Sequence, residues 1–182
     1  MKFLLCVVLF LATGCQSQWA YLGSESSRDL EVGAWTFSGP PGWVCSASSE
    51  DLPGPGLWMT RDGPRLQSIV VCTVPLRTFE REGAALPSTD AELADRLLAN
   101  EALGWQGRTQ RVSLEPFECD GQRGFRMRLR RVDRQPREDD LLVVFRRGAD
   151  VDLFWLRACS LHFFDRDVKA FEEMLRTASF RA

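Results

Sequence analysis

The 182-residue chain has no excess of basic residues, almost no lysine or histidine, and no apolar run long enough to span a membrane. Its only lysines are Lys2 and Lys169, its only histidine is His162, and its formal net charge is −2. A nucleic-acid-binding domain would carry a strong excess of basic residues, so a nucleic-acid partner is not expected. The sequence has no run of about 20 apolar residues that would form a transmembrane helix, and no CxxC pair that would suggest a zinc site. The chain is rich in aromatic residues, with twelve Phe and six Trp, and this composition favours one well-packed core.

The first fifteen residues have the order of a secretory signal. A lysine precedes the apolar stretch 3–11, and a Thr-Gly pair precedes Cys15. A positive end, a short apolar core and small residues at the cleavage point are typical of exported proteins. A cysteine placed directly after the small residues resembles the lipobox of bacterial lipoproteins. The resemblance implies that residues 1–14 are removed and that Cys15 becomes the lipid-bearing first residue. The alternative is a cysteine that merely follows a cleavable signal.

Lipidation of Cys15 would place the protein on the periplasmic side of a bacterial membrane. One acyl chain binds a protein to a membrane only weakly, whereas the two or three acyl chains of a lipoprotein give a durable anchor. Gln16 follows the cysteine, where an aspartate would resemble the signal for retention in the inner membrane. We therefore expect a membrane anchor through Cys15, in the outer membrane rather than the inner one.

Four cysteines remain once Cys15 and the signal peptide are set aside, namely Cys45, Cys72, Cys119 and Cys159. An even number in an oxidising compartment predicts two disulfides. Three connectivities are possible, and we favour Cys45–Cys72 with Cys119–Cys159 because these pairs are closest within each half of the chain. The rival interpretation is a zinc site that uses His162, which the wide spacing of the cysteines disfavours. No metal and no cofactor are expected.

The mature chain divides into a tether and one domain. Residues 15–33 are polar and rich in serine and glycine, which predicts a flexible tether. The alternative is that part of this segment packs on the domain through Trp19 and Tyr21. Residues 34–182 have the length of a single domain.

The domain reads as strands interrupted by two helices. Thr89 and Glu92 have the spacing of a capping box, with an apolar stripe after them, and Asp165 or Asp167 is expected to cap the second helix. Alternation and turn residues predict the strands. They lie at 35–37, 43–45, 57–59, 66–74, 108–117, 124–132, 141–145 and 151–161. This order predicts an α+β fold, in which an antiparallel β-sheet carries two packed helices.

One segment, the central helix and the late apolar strands together resemble a known family. The segment 35–43 reads Trp-Thr-Phe-Ser-Gly-Pro-Pro-Gly-Trp, and the closing helix contains Phe171 and ends before Ser179 and Phe180. These features are similar to the PsbP-like family, which includes PsbP of photosystem II, the Ran-binding protein Mog and several bacterial lipoproteins. The resemblance covers roughly residues 34–180 and implies an α/β/α sandwich. It implies a protein that binds, docks or assists assembly, since the family has no common catalytic residues.

The most suggestive surface feature is an arginine stripe. Arg126, Arg128 and Arg130 alternate with apolar residues, so they share one face of a strand. Arginine binds carboxylates and phosphates by two-point contacts, which makes the stripe a candidate binding surface for an anionic partner. The alternative is a solvated face whose arginines pair with nearby acids, namely Glu115, Glu118 and the run 138–140.

The acidic run Glu138-Asp139-Asp140 follows Pro136 and precedes an apolar strand. We predict a solvated hairpin loop for this run. The rival interpretation is a divalent-cation site, because carboxylate oxygens are the ligands that such cations prefer.

His162 is the one candidate catalytic residue. Ser160 lies two residues before it, and Asp165 and Asp167 follow, so a nucleophile, a base and an acid are close in sequence. The sequence contains no G-x-S-x-G elbow, phosphate loop, HExxH motif or dinucleotide fingerprint. A structural histidine at a strand end is therefore favoured, and an enzyme is not expected.

The sequence predicts a membrane-anchored periplasmic lipoprotein that acts as a non-enzymatic binding or adaptor module. Its partner would be an envelope protein or an anionic polymer that docks on the arginine stripe. The alternative is an immunity protein that neutralises a toxin delivered into the periplasm. A hydrolase that uses His162 is a third hypothesis.

Overall fold

A computed structural model describes residues 21–22, 29–47, 52–61, 67–80, 85–100, 109–132, 138–159 and 163–181. The N-terminal half contains six strands: β1 (Tyr21–Leu22), β2 (Asp29–Val32), β3 (Trp35–Ser38), β4 (Trp43–Ala47), β5 (Gly56–Arg61) and β6 (Gln67–Pro75). A 3₁₀ turn, Leu76–Phe79, leads to helix α1 (Asp90–Ala99). The C-terminal half contains β7 (Thr109–Cys119), β8 (Gln122–Arg131), β9 (Glu138–Arg147), β10 (Asp150–Cys159), helix α2 (Phe164–Thr177) and β11 (Ser179–Phe180).

The strands form two antiparallel sheets. The large sheet has eight strands in the order β1-β4-β5-β6-β10-β9-β8-β7, and the small sheet has the order β11-β3-β2. The late strands form two hairpins, β7–β8 and β9–β10, which pair with each other through β8 and β9. Strand β10 then pairs with β6, which joins the two halves of the chain. The centre of the large sheet is therefore built from β6, β9 and β10, the strands with the most continuous apolar sequence.

Both faces of the large sheet are apolar and each is covered by a different layer. On one face, here called the α1 face, Leu93, Ala94 and Leu97 of α1 pack on strand residues such as Met127 and Leu142. On the opposite face, the α2 face, the apolar side of α2 and the small sheet cover a second cluster. Side chains that alternate along a strand reach opposite faces, which is why a sheet covered on both sides has continuous apolar strands. The predicted α+β architecture, an α/β/α sandwich with two packed helices, is confirmed.

The capping of α1 follows the sequence prediction, whereas that of α2 does not. The Thr89 hydroxyl accepts a hydrogen bond from the Glu92 N–H at 3.2 Å, and the Glu92 carboxylate accepts from the Thr89 N–H, which completes the capping box. Helix α2 instead starts after Phe163, which provides no side-chain cap. Asp165 and Asp167 lie in its first turn, where acids still favour the positive end of the helix dipole. The prediction that either acid is the cap is wrong.

The predicted tether at 15–33 is wrong over its last part. Residues Asp29–Val32 form β2, which pairs antiparallel with β3 and buries Val32 in the cluster beneath α2. The backbone of Tyr21–Leu22 pairs with β4 as an edge strand of the large sheet. Folded structure therefore begins before residue 34. Cys15 and the signal peptide lie outside the described residues. Among the described helices, none is long and apolar enough to cross a membrane.

The sheet excludes the favoured disulfides. Cys45, Cys72 and Cys119 are free thiols. Cys45 belongs to the cluster of the α2 face and Cys72 to that of the α1 face, so the sheet itself separates them. Burial raises the pKa of Cys45 to about 11 and that of Cys72 to about 12, so both stay protonated at neutral pH. The predicted Cys45–Cys72 pair is wrong.

The second predicted pair fails because its two cysteines lie at opposite ends of the large sheet. Cys119 is next to the β7–β8 turn, beyond the level at which Gly124 pairs with Phe145 of β9. Cys159 pairs instead with Glu138 at the other end of β9. The rise of a strand separates these two levels by at least about 23 Å, and a disulfide needs Cα atoms closer than about 7 Å. The predicted Cys119–Cys159 pair is therefore wrong as well.

Candidate functional site

The arginine stripe lies on the α2 face of β8, as its alternation predicts. Arg126, Arg128 and Arg130 are all partly exposed, while Phe125, Met127 and Leu129 point into the core of the α1 face. Each arginine also has an acidic partner within the protein. Arg126 binds Glu115 at 3.0 Å and Glu172 at 3.4 Å. The stripe is thus an internally paired surface, which is the alternative that the sequence left open.

The acids that pair with Arg128 and Arg130 come from a segment predicted to be a solvated loop. Glu138, Asp139 and Asp140 form the start of β9 and are 7%, 1% and 0% exposed. Asp139 accepts a hydrogen bond from Arg128 at 2.8 Å and lies 3.5 Å from the Nε of Arg130. Burial of a carboxylate is tolerated when charged donors replace its water. The prediction of a solvated hairpin loop is wrong, and these acids are structural.

Asp140 forms a second network on the α1 face. Its carboxylate accepts hydrogen bonds from the Trp155 indole at 2.9 Å and from Arg131 and Arg157 at 3.3 Å each. The guanidinium of Arg157 also stacks on the Trp155 ring, 4.4 Å from its centroid. Consecutive aspartates of one strand therefore each bind two arginines, on opposite faces of the sheet. Neither carboxylate is available to hold a cation, and the described residues contain no cluster of three or more metal-ligating side chains.

A cleft of about 570 Å³ opens between the β7–β8 hairpin and the C-terminal half of α2. We call it the hairpin cleft. Its volume falls within the ~300–1,000 Å³ typical of binding sites for small ligands. Apolar side chains and the aliphatic parts of charged ones form its walls, and Arg126 of the stripe is among them. The lining residues are Phe117, Glu118, Cys119, Asp120, Arg126, Leu141, Glu172, Leu175, Arg176 and Ala178.

A tight turn positions one wall of the hairpin cleft. Asp120 and Gly121 have φ values of 47° and 72°, so both adopt the left-handed conformation of a two-residue type I′ turn. Asp-Gly is a favoured pair for this turn because glycine reaches positive φ without strain and aspartate tolerates it. The Asp120 carboxylate also accepts a hydrogen bond from the N–H of Phe180 at 2.7 Å. This bond ties the hairpin to the segment that follows α2, which fixes both walls of the cleft.

Cys119 lies within the hairpin cleft but is not suited to nucleophilic chemistry. Its thiol donates to the Leu175 carbonyl oxygen at 3.3 Å, near the end of α2. Burial raises the pKa of this thiol, and the neighbouring Asp120 raises it further. A reactive cysteine needs a nearby cation that lowers its pKa, whereas the surroundings of Cys119 raise it. The thiol therefore acts as a donor that holds the hairpin against the helix.

Strand β7 forms an outer edge of the large sheet, next to the cleft, and its sequence protects it from pairing with other strands. Pro116 pairs with Phe125, and a register shift between Arg111 and Ser113 marks a bulge. Proline offers no N–H to a neighbouring strand, and bulges and charges also block edge-to-edge pairing. A partner is therefore expected to contact side chains in the cleft rather than to extend the sheet.

The sequence did not identify the wall that α2 contributes to the cleft. Glu172 and Arg176 are four residues apart on a helix, so they share one side, next to the apolar residues Leu175 and Ala178. That pattern alone predicts only a helix flank. Of the three stripe arginines only Arg126 lines the cleft, because Arg128 and Arg130 lie further along β8 beside Asp139. His162 and Ser160, the basis of the hydrolase hypothesis, lie outside the described residues.

Solved structures of other proteins share this arrangement of helices and strands. The solution structure of cyanobacterial PsbP (CyanoP) from Synechocystis sp. PCC 6803 has a TM-score of 0.63 and 16% identity, over 87% of this chain and 95% of that one. The crystal structure of the Ran-binding protein Mog1p from Saccharomyces cerevisiae has a TM-score of 0.55 and 12% identity, over 85% of this chain and 95% of that one. No family model and no curated protein sequence matches the chain. At these identities the likeness establishes the fold, and the predicted PsbP-like fold is confirmed.

Proposed function

We propose that this protein is a lipid-anchored, non-enzymatic adaptor that binds a partner protein of the cell envelope in the hairpin cleft. The observation that carries the proposal is the cleft itself, which combines an apolar floor with charged walls held in place by a turn, a helix and two hydrogen bonds. Small apolar floors with a few fixed polar groups are typical of binding sites. The Ran-binding neighbour with this fold supports a binding role as well.

The charges of the described surface favour a protein over an anionic polymer as the partner. All three stripe arginines already bind carboxylates of the same chain. The cleft is lined by three acids, Glu118, Asp120 and Glu172, and by two arginines, Arg126 and Arg176. A polyanion would have to displace these acids and would gain little from a surface that is already neutralised. A mixed surface with an apolar floor suits a protein partner better.

Site-specific photo-crosslinking in cells tests the docking surface. A photoreactive amino acid is placed at Arg176, which is exposed at the cleft. We expect a discrete, light-dependent adduct with an envelope protein, identifiable by mass spectrometry. The same amino acid at Arg77, which is exposed on the α1 side, serves as the matched control and is expected to give no such adduct. An adduct of the same partner and yield from both positions, or none from Arg176, would contradict the proposal.

Metabolic labelling tests the anchor. We expect an alkyne-bearing palmitate analogue to label the protein, and the variant Cys15→Ser to lose the label and to leave the membrane fraction, because the sulfur that carries the lipid is gone. Cys119→Ser is the control, since that half-buried thiol donates to the Leu175 carbonyl oxygen and should not affect labelling. Membrane association of Cys15→Ser equal to that of the unchanged protein would overturn the anchor.

A further inference from the structure

The charges of the arginine stripe are balanced unevenly along β8. At one end, Arg126 binds two carboxylates, one from β7 and one from α2. At the other end, Arg128 and Arg130 share the carboxylate of Asp139, which is 1% exposed. Two guanidinium groups therefore face one buried acid, which leaves an excess of positive charge. Their side chains are 37% and 35% exposed, so a ligand in solution can reach them.

These two arginines also have hydrogen-bond donors to spare. Arg128 donates to Asp139 at 2.8 Å, whereas the Nε of Arg130 lies 3.5 Å from the same carboxylate and forms no hydrogen bond with it. Each guanidinium has five N–H donors. Within the described residues, Arg128 uses one of them in a side-chain hydrogen bond and Arg130 uses none. The exposed edges of both groups can therefore donate to an anion.

A second pair of arginines lies at the same end of the sheet. The register of β6, β10, β9 and β8 aligns one residue of each strand in a row on the α2 face, namely Gln67, Ala158, Asp139 and Arg130. Arg166 of α2 donates to Gln67, which is two strands and about 10 Å away from Asp139. Arg166 and Arg61, the last residue of β5, both bind Asp167, which is fully buried. We call the four cations the basic row, namely Arg61, Arg128, Arg130 and Arg166.

The basic row contains more cations than acids. Its four guanidinium groups face two buried carboxylates, Asp139 and Asp167, and the first turn of α2 adds one exposed acid, Asp165. Phe164 of the same turn stacks on Arg128, with its ring centroid 4.6 Å from the guanidinium carbon, which restrains that side chain. Donors that are held in place before a ligand arrives lose less conformational entropy on binding.

Two neighbouring arginine forks suit a phosphate better than a carboxylate. Arg128 and Arg130 are two residues apart on one face of β8, which separates their Cα atoms by about 6.6 Å. Each planar fork can bind two oxygens. A phosphate group offers three acceptor oxygens and up to two negative charges, which is enough for both forks. A carboxylate presents only two oxygens, in one plane.

We propose that the basic row binds the phosphate group of a small ligand, with Arg128 and Arg130 as its principal contacts. The phosphate belongs to a soluble ester or to the head group of a membrane lipid. A long polyanion is disfavoured, because the Arg126 end of the stripe is already paired with acids. The basic row lies at the N-terminal end of α2 and the hairpin cleft at its C-terminal end. This site therefore goes beyond the adaptor function and does not depend on it.

Two pairs of anions test the inference. The full chain, labelled with nitrogen-15 and held in non-ionic detergent micelles, is titrated with inorganic phosphate and with acetate at equal ionic strength, while its backbone amides are followed by NMR. Phosphatidic acid and oleate, added to the micelles, give the same comparison for membrane lipids. We expect the phosphate of at least one pair to bind about fivefold or more tightly than the carboxylate, with shifts centred on residues 128–130 and 163–167.

The two series identify the source of the phosphate. A preference for phosphate in the soluble series assigns a soluble ester, and a preference in the lipid series alone assigns a lipid head group. Equal affinity for phosphate and carboxylate in both series, binding of none of the four anions, or shifts centred elsewhere would overturn the inference.

Variants of Arg130 separate the basic row from general electrostatics, and they leave the bond from Arg128 to the buried Asp139 in place. Arg130→Gln is expected to weaken phosphate binding about tenfold, because it removes charged donors. Arg130→Lys keeps the charge but loses the fork, so a smaller loss of about threefold is expected. Arg123→Gln removes the same charge from a side chain that is 92% exposed, near the other end of β8, and should change nothing. Equal losses for Arg123→Gln and Arg130→Gln would overturn the inference.

Discussion

Replacing Asp140 with alanine is expected to lower the free energy of unfolding by about 3–5 kcal/mol. The carboxylate is fully buried and accepts hydrogen bonds from Trp155, Arg131 and Arg157. Without it, the buried Arg131 keeps, among its ion pairs in the described structure, only the longer contact of 3.6 Å to Glu138. Arg157 loses the acid that lies closest to its guanidinium. A buried guanidinium that has lost its partner lowers the free energy of unfolding by far more than the intact ion pair raised it. Urea unfolding followed by circular dichroism measures the difference.

Two further variants make the Asp140 prediction specific. Asp140→Asn keeps an oxygen acceptor for the Trp155 indole but removes the charge, so its loss of stability should fall below that of alanine. Asp95→Ala removes an acid whose pair with Arg111 is shorter, at 2.7 Å, but lies on the surface. Exposed pairs contribute about 0–1 kcal/mol, so this control should change little. A similar effect of Asp95→Ala and Asp140→Ala would contradict the importance of burial.

Replacing Trp35 with alanine is also expected to lower the free energy of unfolding by about 3–5 kcal/mol. The Trp35 ring lies 4.7 Å from Phe145, 5.4 Å from Phe154 and 5.3 Å from Phe180, measured between ring centroids. It joins the small sheet to the large one, since β3 carries Trp35 while β9 and β10 carry the first two rings. Alanine would remove these contacts and leave a cavity between the sheets. Urea unfolding followed by far-ultraviolet circular dichroism checks this, since indole fluorescence would change with the substitution itself.

Trp35→Phe distinguishes the packing of the ring from its hydrogen bond. The indole N–H donates to the buried Asp152 at 3.0 Å, and Asp152 also accepts from Thr73 and Arg147. Phenylalanine keeps much of the ring and removes one of these donors, so a loss of about 1–3 kcal/mol is expected. Equal losses for phenylalanine and alanine would contradict a main contribution from packing.

Local patterns predicted the elements that depend on neighbouring residues. Helix α1 was identified by its capping box, and the face of the arginine stripe was identified by alternation, because both depend on contacts within a few residues. Strand β2 was missed because Asp29–Val32 has only one residue that becomes fully buried. Its place in the fold depends on pairing with β3.

The sequence did not predict where the charged residues and the cysteines lie, because their positions are set by strand register. Asp139 and Asp140 look like a loop when read alone, and they are buried because β8 and β10 bring arginines to both sides of β9. Cys45 and Cys72 are close in sequence, yet they reach opposite faces of the sheet. The hairpin cleft likewise combines residues that are more than fifty positions apart, on β7 and α2.

The adjacent aspartates of β9 also determine which alignment of β8 and β9 can form. A slip of one residue would turn Asp139 toward the α1 core and Asp140 toward Phe164, away from the arginines that each now binds. The apolar side chains of β8 and β9 alone would tolerate several sliding alignments, since one leucine or valine replaces another at little cost. Two carboxylates on opposite faces remove that freedom. They fix the alignment of β8 with β9, and the residues that line the cleft from β7 and β8 depend on that alignment for their positions.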